Sequence, residues 1–245
     1  MEFLGEVIGW YTDPARWSGR NSLPELLGGH LTLSAVSLLV ALLIALPVGL
    51  YIGHTGRGAQ VAVAVSNIGR AVPSLGWLGI AYPITTALLQ RAGHGFLPAL
   101  IALVALGLPP IVTNTFTGVR GVDDDLREAG RGVGMTELQL LWRVEVPVAL
   151  PVILAGVRSS AVAIVATAPL TSLVGADTLG TYILAGLDLS DEVQVFAAAL
   201  LVVAIALLTE LGLGWLERRA TSPGLSGRDP LTDTTAPVGE PRGAG

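Results

Sequence analysis

Four stretches of the chain are long and apolar enough to cross a lipid bilayer as helices. A helix needs about 20 apolar residues to span the hydrocarbon core. Residues 31–52 and 99–119 reach this length without a charge, and residues 148–174 and 193–216 contain one charge each. Only 13% of the 245 residues are charged, whereas soluble domains carry about 25%. The sequence therefore predicts an all-α polytopic membrane protein.

A fifth apolar region, residues 59–89, is interrupted by Arg70, Pro73 and Pro83. If the region is split at Arg70, one piece is too short to cross. As a single crossing it is long enough to tilt or to begin in the interface. The prolines predict a local irregularity, which a membrane tolerates only where freed carbonyls meet protein or water.

The positions of the arginines distinguish five crossings from six, because arginines concentrate in cytoplasmic loops. With five crossings, one side holds Arg57, Arg120, Arg127, Arg131, Arg143, Arg218 and Arg219. Six crossings would separate Arg57 from the others. We therefore predict five transmembrane helices, with the N-terminus outside and the C-terminus inside.

The remaining parts of the chain are polar or aromatic rather than uniformly apolar. Residues 1–29 mix charges with tryptophan and tyrosine, which predicts a segment in the outer membrane interface, although a loosely ordered leader fits equally well. Residues 30–219 form the predicted transmembrane domain. Residues 220–245 are rich in Pro, Gly, Thr and Asp, which predicts a disordered cytoplasmic tail.

Several functions are excluded by missing residue types. The chain has no lysine, so it cannot form a P-loop and is not expected to hydrolyse ATP. It has no cysteine, and its three histidines show no ligand spacing, so no metal site is expected. The net charge of −5 argues against a nucleic-acid partner.

Residues 120–147, here called the elbow, form the longest predicted cytoplasmic loop. Asp123 and the acids after it favour a helix start, and residues 126–132 are predicted to be helical. Gly134 can adopt the left-handed turn that ends this helix. Thr136 and Gln139 have the spacing of a capping box, which predicts a second helix.

The second helix of the elbow carries an apolar stripe. Leu138, Leu141 and Trp142 have the spacing i, i+3 and i+4. Pro147 either stops the pattern or opens the next span. The apolar face of the elbow is expected to bind in a groove on a partner protein or to lie on its own bundle.

The spacing within the elbow resembles the EAA loop of ABC importer permeases. The pattern runs Glu128-Ala129-Gly130, three residues, Gly134, nine residues, then Val144-x-Val146-Pro147. The resemblance implies that Glu128, Ala129, Gly130 and Gly134 couple the permease to an ATPase subunit. We add the stripe residues and Pro147 to this predicted coupling site.

Further segments resemble permeases for osmoprotectants such as glycine betaine, choline, carnitine and proline betaine. They are residues 30–34 (HLTLS), 67–75 (NIGRAVPSL), 108–115 (LPPIVTNT), 156–158 (GVR) and 175–180 (GADTLG). Arg70 and Thr113 depart from the pattern of this family, as do Asp177 and Thr178 where it has glycines. The resemblance implies the fold of a type I ABC importer permease.

The resemblance also implies partners. They are an ATPase subunit that binds ATP and Mg²⁺, an extracellular or periplasmic binding protein, and a second permease copy or paralogue. The chain itself is expected to bind no cofactor. Its expected location is the cytoplasmic membrane.

Polar residues within the spans are candidates for the translocation pathway, because ionisable groups at membrane depth usually face a cavity or a partner. The candidates are Pro73, Ser74, Asn114, Thr115 and Arg158. Asn114 and Thr115 are alternatively contacts between helices. Arg158 and Glu210 lie at similar depth in their spans, so we predict an ion pair that holds the two helices together.

Other functions fit the sequence less well. A permease for another small solute, such as an amino acid, is one alternative. A stand-alone secondary transporter or channel is another, but no inverted repeat is visible. An intramembrane enzyme would need a nucleophile with a base or a metal cluster, which Arg158 and Glu210 do not provide.

Overall fold

The computed structural model describes residues 2–90 and 94–220. Within these ranges the chain is helical and contains no β-strand. The helices are α1 (Glu2–Thr12), α2 (Leu23–Thr55), α3 (Ala59–Ala71), α4 (Ser74–Leu89), α5 (Phe96–Arg120), α6 (Asp124–Gly132), α7 (Glu137–Leu140), α8 (Val146–Thr167), α9 (Gly180–Leu189) and α10 (Glu192–Ala220). Short 3₁₀ segments lie at Pro14–Arg16 and Ala168–Val174, and a π-helical turn lies at Leu141–Glu145. The predicted tail lies outside the described residues, apart from Ala220.

Four described helical runs are long and apolar enough to cross a membrane. They are Leu23–Thr55, Phe96–Arg120, Glu137–Val174 and Glu192–Ala220. Helices α3 and α4 together would make a fifth crossing, bent by 94°. These runs coincide with the five predicted spans.

Helix α2 begins earlier than the sequence predicts. Ser22 is at the N-cap position and Pro24 lies in the first turn, where a missing N–H costs little. Glu25 in that turn is compatible with the helix because acids are stabilised at a helix N-terminus. The predicted boundary between residues 29 and 30 therefore falls inside α2.

The packing of α2 on α5 explains why the bent pair makes a crossing. Gly49 lies against Thr115, and Gly53 lies against Val119, so the two helices run in the same direction. Small residues at such contacts let two backbones approach closely. Because α2 ends at the same level as α5, the chain must return through α3 and α4 before α5 begins. Five crossings follow, as predicted.

The bend between α3 and α4 occurs at Pro73. Val72 is extended, as expected for the residue before a proline, and Pro73 is the N-cap residue of α4. Gly69 in α3 packs against Pro109 of α5. A cavity of about 880 Å³, with an almost wholly apolar lining, lies between α2, α3 and α5 and reaches Trp77 of α4.

Helix α5 is the centre of the bundle. It packs against α2, α8, α4 and α3, while α10 packs on α8. Ser160 of α8 donates a hydrogen bond to the Gly107 carbonyl of α5 (2.9 Å), and Gly156 lies against Asn114. These contacts set α8 antiparallel to α5.

The N-terminal segment packs on the end of the bundle opposite the elbow. Trp10 is buried, and the Tyr11 hydroxyl donates to the Ala197 carbonyl of α10 at 2.7 Å. The Arg16 guanidinium lies 4.5 Å from the centre of the Trp10 ring, a cation–π contact. Helix α1 thus packs on α10.

Large apolar side chains remain exposed on the outer faces of the long helices. Examples are Leu39 and Leu43 on α2 and Leu207, Leu208 and Leu211 on α10. A soluble monomer rarely exposes such continuous apolar surface. Lipid covers these faces in a multi-pass membrane protein.

Candidate functional site

The first helix of the elbow begins at an aspartate cap. The Asp123 carboxylate accepts a hydrogen bond from the backbone N–H of Asp125 (2.9 Å). Asp124 and Asp125 occupy the first turn, where the helix dipole favours acids. The cap brings Asp124 into α6, so the helix begins slightly before the predicted residue 126.

Gly134 ends α6 in a left-handed conformation, with φ at +83°. Its N–H donates to the Arg131 carbonyl (2.9 Å), and the Met135 N–H donates to the Gly130 carbonyl (3.1 Å). These two bonds make a Schellman motif, which satisfies carbonyls at the helix end. An added Cβ at Gly134 would have no neighbour within 4 Å, so only the backbone angle requires glycine here.

The second helix of the elbow begins with the predicted capping box. Thr136 Oγ1 accepts from the Gln139 N–H, and the Gln139 side chain accepts from the Thr136 N–H. The helix does not stop at Pro147. It runs through the π-helical turn directly into α8, and the wider turn makes room for the proline ring. Of the two predicted roles of Pro147, it opens the next span.

The elbow exposes a set of apolar side chains. Leu138 is 66% exposed and Trp142 is 55% exposed, and both lie on one side of the second helix. Leu126 and Val133 of the first half are exposed as well. Leu141 does not join this face, because it packs against the buried cluster of Val119, Ala149 and Ile153. Of the three residues in the predicted stripe, only Leu138 and Trp142 are on the exposed face. Leu141 lies about 100° from Trp142 around the helix axis.

The residues of the predicted EAA pattern take different positions. Glu128 and Ala129 are exposed, and the contacts described for the structure include no hydrogen bond or ion pair of Glu128. Gly130 is buried, and an added Cβ would lie 2.7 Å from Leu140 Cδ1. Gly130 thus allows the two halves of the elbow to approach, while Glu128 points away from its own bundle.

A buried ionic cluster underlies the exposed face. Glu145, only 1% exposed, accepts a hydrogen bond from Arg127 Nε at 2.8 Å through Oε1. Its Oε2 lies 2.6 Å from Nδ1 of His54, at the end of α2. Arg127 also donates from Nη2 to the Val119 carbonyl (2.7 Å) and from Nη1 to Asp124 (3.0 Å). Both oxygens of the buried carboxylate are therefore satisfied, as burial of a charge requires.

An exposed ion pair lies beside the buried cluster. Arg131 Nε is 3.0 Å from Glu137 Oε1. This hydrogen bond raises the pKa of the Arg131 guanidinium above its usual value, so the residue stays charged. The pair joins α6 to α7 across the Gly134 turn.

Arg158 contacts two carboxylates of α10. Its Nη1 lies 3.0 Å from Glu210 Oε1, and its Nε lies 3.3 Å from Glu217 Oε2. The two residues that the sequence pairs are thus in contact. Gly214 lies between the two glutamates in sequence and leaves room for the guanidinium.

The predicted pathway residues do not meet around one cavity. Thr115 is fully buried against Gly49, and Asn114 packs on Gly156 while donating to the Pro110 carbonyl (2.8 Å). Both positions match the alternative prediction of contacts between helices. Pro73 and Ser74 are at the α3–α4 bend, and Arg158 is held by its glutamates. None of the five is among the described residues that line the 880 Å³ cavity.

Sequence reasoning missed the roles of Arg127, Glu145 and His54. Arg127 counts in the sequence only as a marker of orientation. Glu145 is a charge at the start of an apolar span, a signal that points to a buried partner. No spacing rule connects it to His54, which is 91 residues away.

The family of the chain follows from its similarity to known proteins. The family described as the inner membrane component of binding-protein-dependent transport systems matches residues 30–222. The chain belongs to this family. It is the membrane-spanning permease subunit of an ABC importer, in which a separate subunit hydrolyses ATP.

Similar permeases occur in several bacteria. The carnitine transport permease protein OpuCB of Listeria monocytogenes is 41% identical over 192 residues, which is 78% of this chain and 85% of that protein. The glycine betaine/carnitine/choline transport system permease protein OpuCB of Bacillus subtilis (strain 168) is 34% identical over 82% of this chain and 89% of its own length. The osmoprotectant import permease protein OsmY of Salmonella typhimurium is 36% identical over 78% of each chain.

Solved ABC transporters share the fold of this permease. An inward-facing structure of the MetNI methionine ABC transporter matches with a TM-score of 0.73 and 22% identity, covering 86% of this chain and 100% of the other. An amino acid ABC transporter matches with a TM-score of 0.64 and 20% identity, covering 89% and 99%. The fold is that of the type I importer permeases, as predicted.

Proposed function

We propose that this permease carries a small osmoprotectant, such as glycine betaine, choline, carnitine or proline betaine, into the cell. The support is that relatives named for carnitine, glycine betaine and choline transport are 34–41% identical over about four fifths of the chain. The described spans contain few aromatic side chains for a quaternary ammonium group. A separate binding protein on the outer side would therefore supply most of the selectivity.

The coupling to ATP hydrolysis is assigned to the elbow. The supporting observation is its uncovered surface, which includes Leu138, Trp142 and Val133 and the exposed Glu128. An apolar helix face with no cover in its own chain is the kind of surface that inserts into a groove of a partner. The partner is the ATPase subunit, which binds ATP and Mg²⁺.

The complex would sit in the cytoplasmic membrane with the elbow inside. The arginines on the elbow side support this orientation, and α1 then lies outside. One chain supplies about five crossings, so a second permease copy or a paralogue completes the pathway. Two ATPase subunits and a binding protein complete the importer.

The test of this function is reconstitution. The permease, co-expressed with its ATPase and binding protein, is inserted into proteoliposomes, and ATP-driven uptake of labelled glycine betaine, choline and carnitine is measured. Glu128→Arg is expected to reduce both bound ATPase and uptake. Glu6→Arg, an identical reversal at an exposed site on α1, is the matched control and should change neither.

Two results would contradict the proposal. Wild-type uptake of an amino acid with no uptake of any betaine would remove the substrate assignment. Equal ATPase binding by Glu128→Arg and Glu6→Arg would contradict the assignment of the elbow, through Glu128, to the ATPase docking surface.

A further inference from the structure

His54 connects the end of α2 to the elbow through a buried carboxylate. Its Nδ1 lies 2.6 Å from Oε2 of Glu145, while its Nε2 lies 3.4 Å from the exposed Glu137. The other oxygen of Glu145 is held by Arg127. Because both oxygens are bonded, the carboxylate cannot rotate away from the imidazole without losing one of them.

Several helices converge on this carboxylate. Glu145 belongs to the helical run that continues into α8, and Arg127 belongs to α6. Arg127 also donates to the carbonyl of Val119 in the last turn of α5. With His54 in the last turn of α2, the carboxylate joins α2, α6 and the run into α8, and Arg127 extends the connection to α5.

The connection of α2 to the elbow differs from that of the other spans. Helix α8 is covalently continuous with α7 through the π-helical turn. Helix α5 is followed almost directly by α6. Helix α2 is separated from the elbow in sequence by α3, α4 and α5, so movement of the elbow reaches it only through non-covalent contacts.

The chemistry of the contact decides whether it can transmit a movement. Gly53 of α2 packs against Val119 of α5, but such apolar contacts are non-directional and allow sliding. A short hydrogen bond to a buried carboxylate is directional and is strengthened by low dielectric. The bond between His54 and Glu145 is therefore suited to fix the position of α2 relative to the elbow.

We propose that His54 is a positioning residue for coupling, which makes α2 move with the elbow when the ATPase subunit displaces it. This inference rests on the proposed docking of the ATPase on the elbow. It requires no contact of His54 with the ATPase or with the transported solute. Loss of the bond should leave ATP hydrolysis intact and reduce the solute transported per ATP.

Two amide substitutions separate the two ring nitrogens. The amide nitrogen of His54→Asn replaces Nδ1, which faces Glu145, whereas that of His54→Gln replaces Nε2, which faces Glu137. In the reconstituted complex, His54→Asn should transport with nearly wild-type stoichiometry. His54→Gln should transport about fivefold less solute per ATP, the lower end of typical allosteric couplings, with unchanged ATPase binding.

A distance measurement gives an independent readout. The chain has no cysteine, so spin labels can be placed at Arg57→Cys, after α2, and at Arg143→Cys, in the elbow; both positions are exposed. The distance between the labels should be narrow in the parent and in His54→Asn. It should broaden in His54→Gln.

Each outcome has a definite meaning. If the ATPase does not bind the wild-type elbow, the proposed function fails and this inference fails with it. If the ATPase binds but both amides transport with the same stoichiometry, docking stands and the role of His54 is overturned. If either amide does not assemble, Glu145→Asp, which keeps the charge but shortens the side chain, must lower the stoichiometry, and an unchanged value overturns the inference.

Discussion

The two arginine-centred clusters of the permease are built differently. Arg127 and Glu145 are almost completely buried, and Arg127 donates to Glu145, to the Val119 carbonyl and to Asp124 of its own helix. Arg158 is about one third exposed and lies between two partly exposed glutamates of the same helix. The first cluster joins four helices at the elbow, whereas the second joins only α8 and α10.

The comparison shows how burial changes the free-energy cost of removing one member of a charge pair. Removing one member of a buried pair leaves the other charge without solvent or partner, which typically costs about 3–5 kcal/mol. A partly exposed charge regains some hydration when its partner is lost, so its removal costs less. The elbow cluster should therefore be the more sensitive of the two.

The largest expected effect comes from Glu145→Gln. The substitution leaves Arg127 buried with a neutral partner and should lower the free energy of unfolding by about 3–5 kcal/mol. Thermal unfolding of the purified permease in detergent measures the change. Joint replacement with Arg127→Met and Glu145→Leu should recover most of the loss, and a double variant as unstable as the single one would show that the cluster is not an isolated pair.

A smaller effect is expected at Arg158. Arg158→Gln removes the guanidinium that Glu210 and Glu217 both contact and should cost about 1–2 kcal/mol, between the values for exposed and buried pairs. Glu210→Gln should cost less, because Glu217 still pairs with the arginine. Equal melting temperatures for the two variants would contradict the three-membered arrangement.

Reversing the charges of Arg158 and Glu210 tests whether Glu217 also contributes to the cluster. Arg158→Glu combined with Glu210→Arg should restore assembly only in part, since Glu217 then faces a carboxylate at position 158. Adding Glu217→Gln should complete the rescue. Assembly is measured as the monodisperse fraction after solubilisation, and full rescue without the third change would mean that Glu217 does not contribute.

The left-handed turn between the two halves of the elbow should contribute to stability through backbone conformation and not through charge. Gly134→Ala forces a side chain into the left-handed region and should cost about 1–2 kcal/mol. Gly132→Ala is the matched control, because an added Cβ there meets nothing within 4 Å and φ is not positive. A loss at Gly132 equal to that at Gly134 would show that the backbone angle is not the cause.

The smallest effect is expected for Arg131→Gln. Both members of its ion pair with Glu137 are exposed, and such pairs contribute little to the free energy of unfolding. The melting temperature should not change measurably. A large loss of stability would show that this exposed pair contributes as much as a buried one.

Much of the fold was predictable because its signals are local. Span lengths, the capping box at Thr136 and the left-handed turn at Gly134 are each encoded within a few neighbouring residues. The bonding of His54 to Glu145 was not, since it depends on how the end of α2 packs beside the helical run that continues into α8. The separation of Leu141 from the exposed stripe likewise depends on tertiary packing, against the cluster that contains Val119.

The uninterrupted helical run from Glu137 to Val174 has a geometrical consequence. At about 1.5 Å per residue it is roughly 55 Å long, so it reaches from the elbow through the bilayer to the opposite face. A rotation of only about 5° around its elbow end would displace the far end by about 5 Å. A slight tilt of this helix at the elbow side of the membrane therefore moves its other end by a distance comparable to the size of a small solute.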